Sequence, residues 1–218
     1  MSAQPEQVRL SRDQALAHGL RLTIEAAERI TPTPVLLIDG RSGAGKTHFA
    51  NELADALFRE LEQAPRVIHM DDLYPGWDGL RAGSLYLLQM ILLPVSRGET
   101  ARWQPWNWAR SLRGKSGDIA NGWREFEGGT PLIIEGCGSL SRASAELAHL
   151  TMWLHAETSV RRERWVTRDG DRFGEHWGRW AAQEDEFYEA EKSERLARIW
   201  LDNSAIAVGE PGSYAGDE

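Results

Sequence analysis

"LLIDGRSGAGKTHFANEL", residues 36–53, sets an apolar run against a glycine-rich turn and then a helix-forming stretch. Within it Gly40, Gly45, Lys46 and Thr47 stand at the spacing G-x-x-x-x-G-K-T. A continuous apolar run such as "PVLLID" marks a strand covered on both faces, because a strand with one wet face alternates. Strand, turn and helix in that order are what this motif requires. The loop Gly40, Ser42, Gly43, Ala44 and Gly45 lets successive backbone N–H groups converge on phosphate oxygens, and a helix from about Gly45 to Leu61 adds the positive end of its dipole. Lys46 is expected between the β- and γ-phosphates of a nucleoside triphosphate, with the Thr47 hydroxyl on Mg²⁺. The same cradle serves kinases, GTPases, motors and transporters, so the remainder of the chain must distinguish them.

Further buried-strand candidates are "RVIHM" (66–70), "PLIIEG" (131–136), "LTMWLHA" (150–156) and "AIAVG" (205–209), and helical patterns separate most of them. Such alternation implies right-handed crossovers and a three-layer α/β/α fold around a central, mostly parallel five-stranded sheet. Ser11 to Gln14 reads as a capping box that opens a helix over 11–30, with Leu16, Leu20, Ile24 and Ala27 on one face. Residues 1–208 are expected to form a single domain. Residues 97–130, rich in Gly, Arg and Trp, read as a long functional loop, 158–190 as a helical lid, and 209–218 as a disordered tail.

Composition narrows the partners. The formal net charge is −8, from 33 acidic and 25 basic residues, which argues against nucleic acid or an acidic membrane surface. The single cysteine, Cys137, allows no internal disulfide and fits a reducing compartment, so a cytoplasmic protein is expected. The longest apolar run, "LYLLQMILLPV", is too short to span a bilayer. His48, His69, His155 and His176 match no metal spacing and read as structural. Oligomeric state is left open.

Acidic residues at two strand ends and one basic stripe carry the chemistry. In "VIHMDDLYPGWDG", Asp71 and Asp72 follow the second strand directly, at the carboxyl edge where open parallel sheets bind ligands. Asp71 there suits the proton of an attacking hydroxyl, or a share in holding Mg²⁺; a turn aspartate is the plainer reading. Glu135 ends another strand, where Mg²⁺ ligation, direct or through water, competes with a helix cap. In "SVRRERWVTRDGDRF", Arg161, Arg164, Arg168 and Arg172 share one helical face. Guanidinium forks suit phosphate oxygens, and a solvated face paired with acidic neighbours is the alternative. Trp103, Trp106, Trp108 and Trp123 either line a pocket for a ring or pack the long loop onto the core. There is no N-K-x-D and no L-S-G-G-Q, and the D-x-x-G at 171–174 follows no strand, so a switch GTPase or transporter ATPase is not expected.

From about Pro34 to Ala207 the chain resembles the uridine kinase and phosphoribulokinase-like branch of P-loop kinases. "DDLY" (71–74) is similar to that branch's Asp-x-Phe-Tyr, which implies Asp71 as the base beside the acceptor and Tyr74 on the acceptor side. "IIEG" resembles its strand ending in Glu-Gly, which implies Glu135 near the metal. Arg161, Arg164, Arg168 and Asp169 match Arg-x-x-Arg-Arg-x-x-Arg-Asp, with Trp165 in place of the middle arginine, and imply lid arginines on the triphosphate. "QPWNWARSLR" is similar to the Tyr-Asp-Phe segment that helps recognise the nucleoside, implying Trp106, Trp108 and Arg113 as acceptor contacts. Asn107 stands where that branch has Asp, and Ser111 where it often has His. The resemblance thus implies ATP, Mg²⁺ and phosphoryl transfer to a hydroxyl of a nucleoside, sugar or vitamin-like alcohol. A hydrolytic ATPase driving a protein partner and a nucleotide-sensing module are the rival readings.

Overall fold

A computed structural model describes residues 7–114, 122–169 and 174–205. In chain order the elements begin with β1 (Val8–Leu10), α1 (Arg12–Arg29), β2 (Val35–Asp39), α2 (Lys46–Leu61) and β3 (Arg66–His69), which runs into a 3₁₀ turn, Met70–Asp72. Next, α3 (Leu80–Leu87) passes through a π turn, Leu88–Leu92, into α4 (Leu93–Ser96). Four short strands follow: β4 (Ala101–Trp103), β5 (Trp106–Asn107), β6 (Leu112–Arg113) and β7 (Arg124–Phe126). The chain continues with β8 (Leu132–Glu135), α5 (Arg142–Ala145), β9 (Leu150–His155), α6 (Thr158–Asp169), α7 (Gly174–Glu191), α8 (Ser193–Leu196) and β10 (Ile199–Asp202).

The main sheet has the order β1-β10-β9-β2-β8-β3, and every pair is parallel. Its helices cover both faces, so the molecule is the three-layer α/β/α sandwich that the alternating pattern predicts. The sheet holds six strands rather than five, because Val8–Leu10 pairs with β10 along one edge. Three residues are too short a run for alternation to identify a strand, and pairing with β10 makes them β. The last strand also differs from expectation: it is Ile199–Asp202, Ala205 lies in a turn, and 206–209 lie outside the described residues, as does the expected tail. "IWLD" is not among the strand candidates, and β9 supplies its ladder.

Side chains alternate across the sheet into two apolar layers. Leu36, Ile38, Ile133, Met152 and Leu154 meet Phe49, Leu53 and Leu57 of α2 and Ala15 of α1. Leu37, Ile134 and Trp153 face Leu80 and Leu87 of α3 and Trp180 and Phe187 of α7. Each such side chain contributes about 1.5 to 3 kcal/mol on burial, and together they fix the register that sets the strand ends. The capping box of α1 forms as expected: Gln14 N–H donates to Ser11 Oγ (3.3 Å), and Ser11 N–H to Gln14 Oε1 (3.0 Å). Among the described residues no helix is long and apolar enough to cross a membrane.

Candidate active site

Strands β2, β8 and β3 are adjacent, so their carboxyl ends bring three loops to one edge of the sheet. The first is the glycine loop. Gly43 and Gly45 adopt φ of 80° and 90°, the left-handed region in which a side chain is strained, and α2 starts directly afterwards at Lys46. Lys46 is buried. Its Nζ donates to the Arg41 carbonyl (3.1 Å) and meets Cys137 Sγ at 3.5 Å. Burial opposes the ammonium charge, but the carboxylates Glu135, Asp39 and Glu184 favour it, and its pKa lies above the usual lysine value.

The second loop follows β8. Glu135, 4 % exposed, accepts the Thr47 hydroxyl at Oε1 (3.0 Å), and His69 Nδ1 lies 2.7 Å from the same oxygen. Thr47, Glu135 and His69 therefore form a polar chain from the start of α2 to β3. Its register is that of the sheet, since His69 pairs with Glu135 across the ladder. Sequence spacing gives no sign of this, because 66 residues separate the two, and His69 is thereby a member of the site that motif reading passed over. The Glu135 hydrogen bond holds the His69 imidazolium above its usual pKa against partial burial. Among the described residues no group of three or more His, Cys, Asp and Glu side chains converges on a metal. Mg²⁺ in triphosphate sites takes one or two protein oxygens and completes its shell with phosphates and water, and the hard oxygens of Thr47 and Glu135 fit that donor set.

The third loop is the 3₁₀ turn that holds Asp71 and Asp72. Asp71 is exposed at the sheet edge, and the Trp108 indole N–H donates to its backbone carbonyl (3.0 Å). The Asp72 carboxylate pairs with Arg124 of β7 (2.7 Å). The aromatic crowd divides. Trp103 is core and Trp123 lies under Arg102, whereas Trp106 and Trp108 sit on the short ribbon β5–β6. Trp77, which motif reading left aside, joins them: its ring is 5.1 Å from Trp108, 6.1 Å from Trp165 and stacked at 4.4 Å on His176. Tyr74 is buried, donates its hydroxyl to the Cys137 carbonyl (2.7 Å) and meets Trp180 edge-on. Arg113 donates to the carbonyls of Gln104 and Leu73 and lies over Tyr86. Tyr74 and Arg113 thus spend their polar groups on backbone carbonyls around the 3₁₀ turn.

Helix α6 reaches the glycine loop. Arg161 Nη1 donates to Ser42 O (3.1 Å), and Arg164 donates to Gly43 O (3.2 Å) and Asn203 O (2.7 Å). These guanidinium groups thus hold loop carbonyls, an arrangement that a linear pattern of arginines does not disclose. The Arg168 backbone belongs to α6; its side chain and the whole of Arg172 lie outside the described residues.

Beneath the loop Asp39 is fully buried and accepts from Gly40 N–H, Gly138 N–H, Leu140 N–H and the Tyr188 hydroxyl. Burial pushes its pKa from 3.8 up to about 6, with the hydrogen bonds opposing. The folded state therefore binds this proton more tightly than the unfolded chain. That stability is fully present below pH 4 and is lost as pH rises towards 6, on the order of 3 kcal/mol for this group. Tyr188→Phe removes one donor to the carboxylate and should carry the fall to higher pH. Urea unfolding midpoints of both proteins from pH 4 to 7 check it; identical profiles would refute it.

No protein-family model matches the chain, and no curated protein matches it. Among solved structures it is similar to one named as a possible uridine kinase from Bacillus stearothermophilus, with TM-score 0.58, 18 % identity, 86 % of this chain covered and 99 % of that one. A second, named as a candidate fructose transport system kinase from Silicibacter sp. TM1040, has TM-score 0.52 and 17 % identity, covering 85 % of this chain and 98 % of that one. At these identities the likeness shows the fold alone, a parallel sheet between two layers of helices.

Proposed function

We propose that this chain is an ATP-dependent, Mg²⁺-requiring kinase that transfers the γ-phosphoryl group to a hydroxyl of a small metabolite, in the class of nucleosides, sugars and vitamin-like alcohols. The observation that carries the reading is the polar chain Thr47, Glu135 and His69. It links the phosphate loop to the strand whose next turn presents Asp71, so a phosphate cradle and an acceptor-side carboxylate share one sheet edge. The names carried by the two structures are consistent with it.

In this reading the glycine-loop amides and Lys46 hold the triphosphate. Thr47 and Glu135 would hold Mg²⁺, which when bound neutralises charge on the phosphates. Asp71 accepts the proton of the attacking hydroxyl as its oxygen bonds to the γ-phosphorus and the bond to the leaving β-phosphate oxygen breaks. Trp106, Trp108 and Trp77 offer flat faces to a ring. Lid residues Arg161 and Arg164 brace the loop and Arg168 is assigned to the transferring phosphate, so that positioning and electrostatics supply most of the rate.

The test is ADP release from Mg-ATP with a panel of nucleosides, sugars and vitamin alcohols beside an acceptor-free control. One acceptor should raise turnover well above the control. Equal release without acceptor would favour a hydrolytic ATPase, and no release at all a nucleotide sensor.

A further inference from the structure

A carboxylate lies buried against a loop built for anions. Glu184, on α7, is 1 % exposed, and its Oε1 accepts the Ser42 backbone N–H at 2.7 Å. The same oxygen accepts the Cys137 S–H at 3.2 Å, the thiol that also meets Lys46. Burial pushes the Cys137 thiol well above its usual pKa, so it stays protonated and able to donate. Glu184 Oε2 stands 3.6 Å from Arg41 and 4.0 Å from Arg161. Arg41 is held further by Asp185 at 2.6 Å, and Lys46 feels the Glu184 charge as well.

Two consequences follow from this geometry. First, the Ser42 amide is committed to Glu184, so one loop N–H is fixed by protein rather than left for phosphate. A buried donor deprived of its acceptor has no water to turn to, which makes this contact a strong restraint on loop shape. Second, Arg41, Arg161 and Lys46 converge on a single buried carboxylate. Its charge balances part of theirs, and without it the cradle would present one more unit of positive charge to a phosphate. The next residue, Gln183, donates to Trp77 O (2.6 Å) and accepts from Leu80 N–H (3.3 Å), so the same helical turn also holds the acceptor-side segment.

We propose that Glu184 is a positioning residue of the phosphate loop, which holds the loop in shape through the Ser42 amide and limits how tightly the cradle retains nucleotide. The inference rests on the reading of this loop as a nucleotide cradle.

The two roles pull affinity in opposite directions, and substitutions separate them. E184Q keeps an oxygen for the Ser42 N–H and removes the charge; E184D keeps the charge and shortens the reach. Calorimetric binding of Mg-ADP to the full chain, with melting temperatures alongside, reads both. Relative to wild type, E184Q should bind Mg-ADP about threefold tighter or more, with the gain shrinking as salt is raised. E184D should bind it about tenfold more weakly. If E184Q binds as wild type or more weakly, the charge-balancing role is wrong; if E184D binds as wild type, so is the role of the Ser42 contact. Should either variant fail to fold, the other still decides its own half, and failure of both would make Glu184 a purely structural residue and overturn the proposal. A wild-type protein that binds no Mg-ADP would instead bring down the nucleotide reading itself, and this inference with it.

Discussion

Asp71→Asn should lower acceptor-dependent ADP release by about 10² to 10⁴, the usual contribution of a positioned general base, while ATP affinity stays at the wild-type level. The substitution is nearly isosteric, and Asp71 is exposed at the end of β3. Its backbone carbonyl, not its side chain, receives the Trp108 indole, so that contact survives. A melting temperature close to wild type is expected with it. Steady-state kinetics with the acceptor found in the panel, together with calorimetric ATP binding, check the pair of outcomes. Intact turnover would remove Asp71 from the mechanism. Equal loss of ATP affinity would assign it to the nucleotide side, where a share in the metal site is the natural role.

Gly40→Ala should be strongly destabilising for a single added methyl in the glycine loop. Gly40 has φ +148°, and a Cβ there would lie 2.2 Å from the Leu154 carbonyl oxygen. That oxygen is backbone of β9, locked in the ladder with β2 and β10, so it has no cheap way to retreat. The expected loss is about 3 kcal/mol or more, and for a chain of this size a melting temperature lower by roughly 6 to 12 °C. Gly98→Ala is the matched control. It also has a positive φ, +70°, but nothing lies within 4 Å of its Cβ position, so only the conformational cost of about 1 kcal/mol remains. Thermal unfolding of the two variants side by side measures the difference; equal losses would mean that the β2–β9 edge yields more readily than its packing implies.

Several features were legible in the chain because their physics is local. An all-apolar run at 35–38, set between Pro34 and a glycine turn, reads as a strand buried on both faces, and G-x-x-x-x-G-K-T after it states its own turn and helix. Ser11 and Gln14 announce the start of α1 from a spacing of three residues. The position of Asp71 and Glu135 at strand ends was likewise readable, since strand and following residue are contiguous. The edge strand β1 and the last strand β10 were not, for each depends on a neighbour remote in sequence to complete its hydrogen bonds.

What tertiary structure alone decided is which of these parts touch. Sheet order places β8 between β2 and β3, and only that adjacency lets Glu135 meet both Thr47 and His69. Periodicity put the arginines of α6 on one face, but packing chose their partners, and the carbonyls of Ser42 and Gly43 were nearer to hand than any motif suggests. Glu184 has no sequence signature at all. In a helix of ordinary composition it is one acidic residue among several, and it becomes a buried carboxylate on the phosphate loop only because α7 packs where it does. Motifs record chemistry that neighbours in sequence perform together; contacts across 66 or 142 residues exist only once the sheet has set the distances.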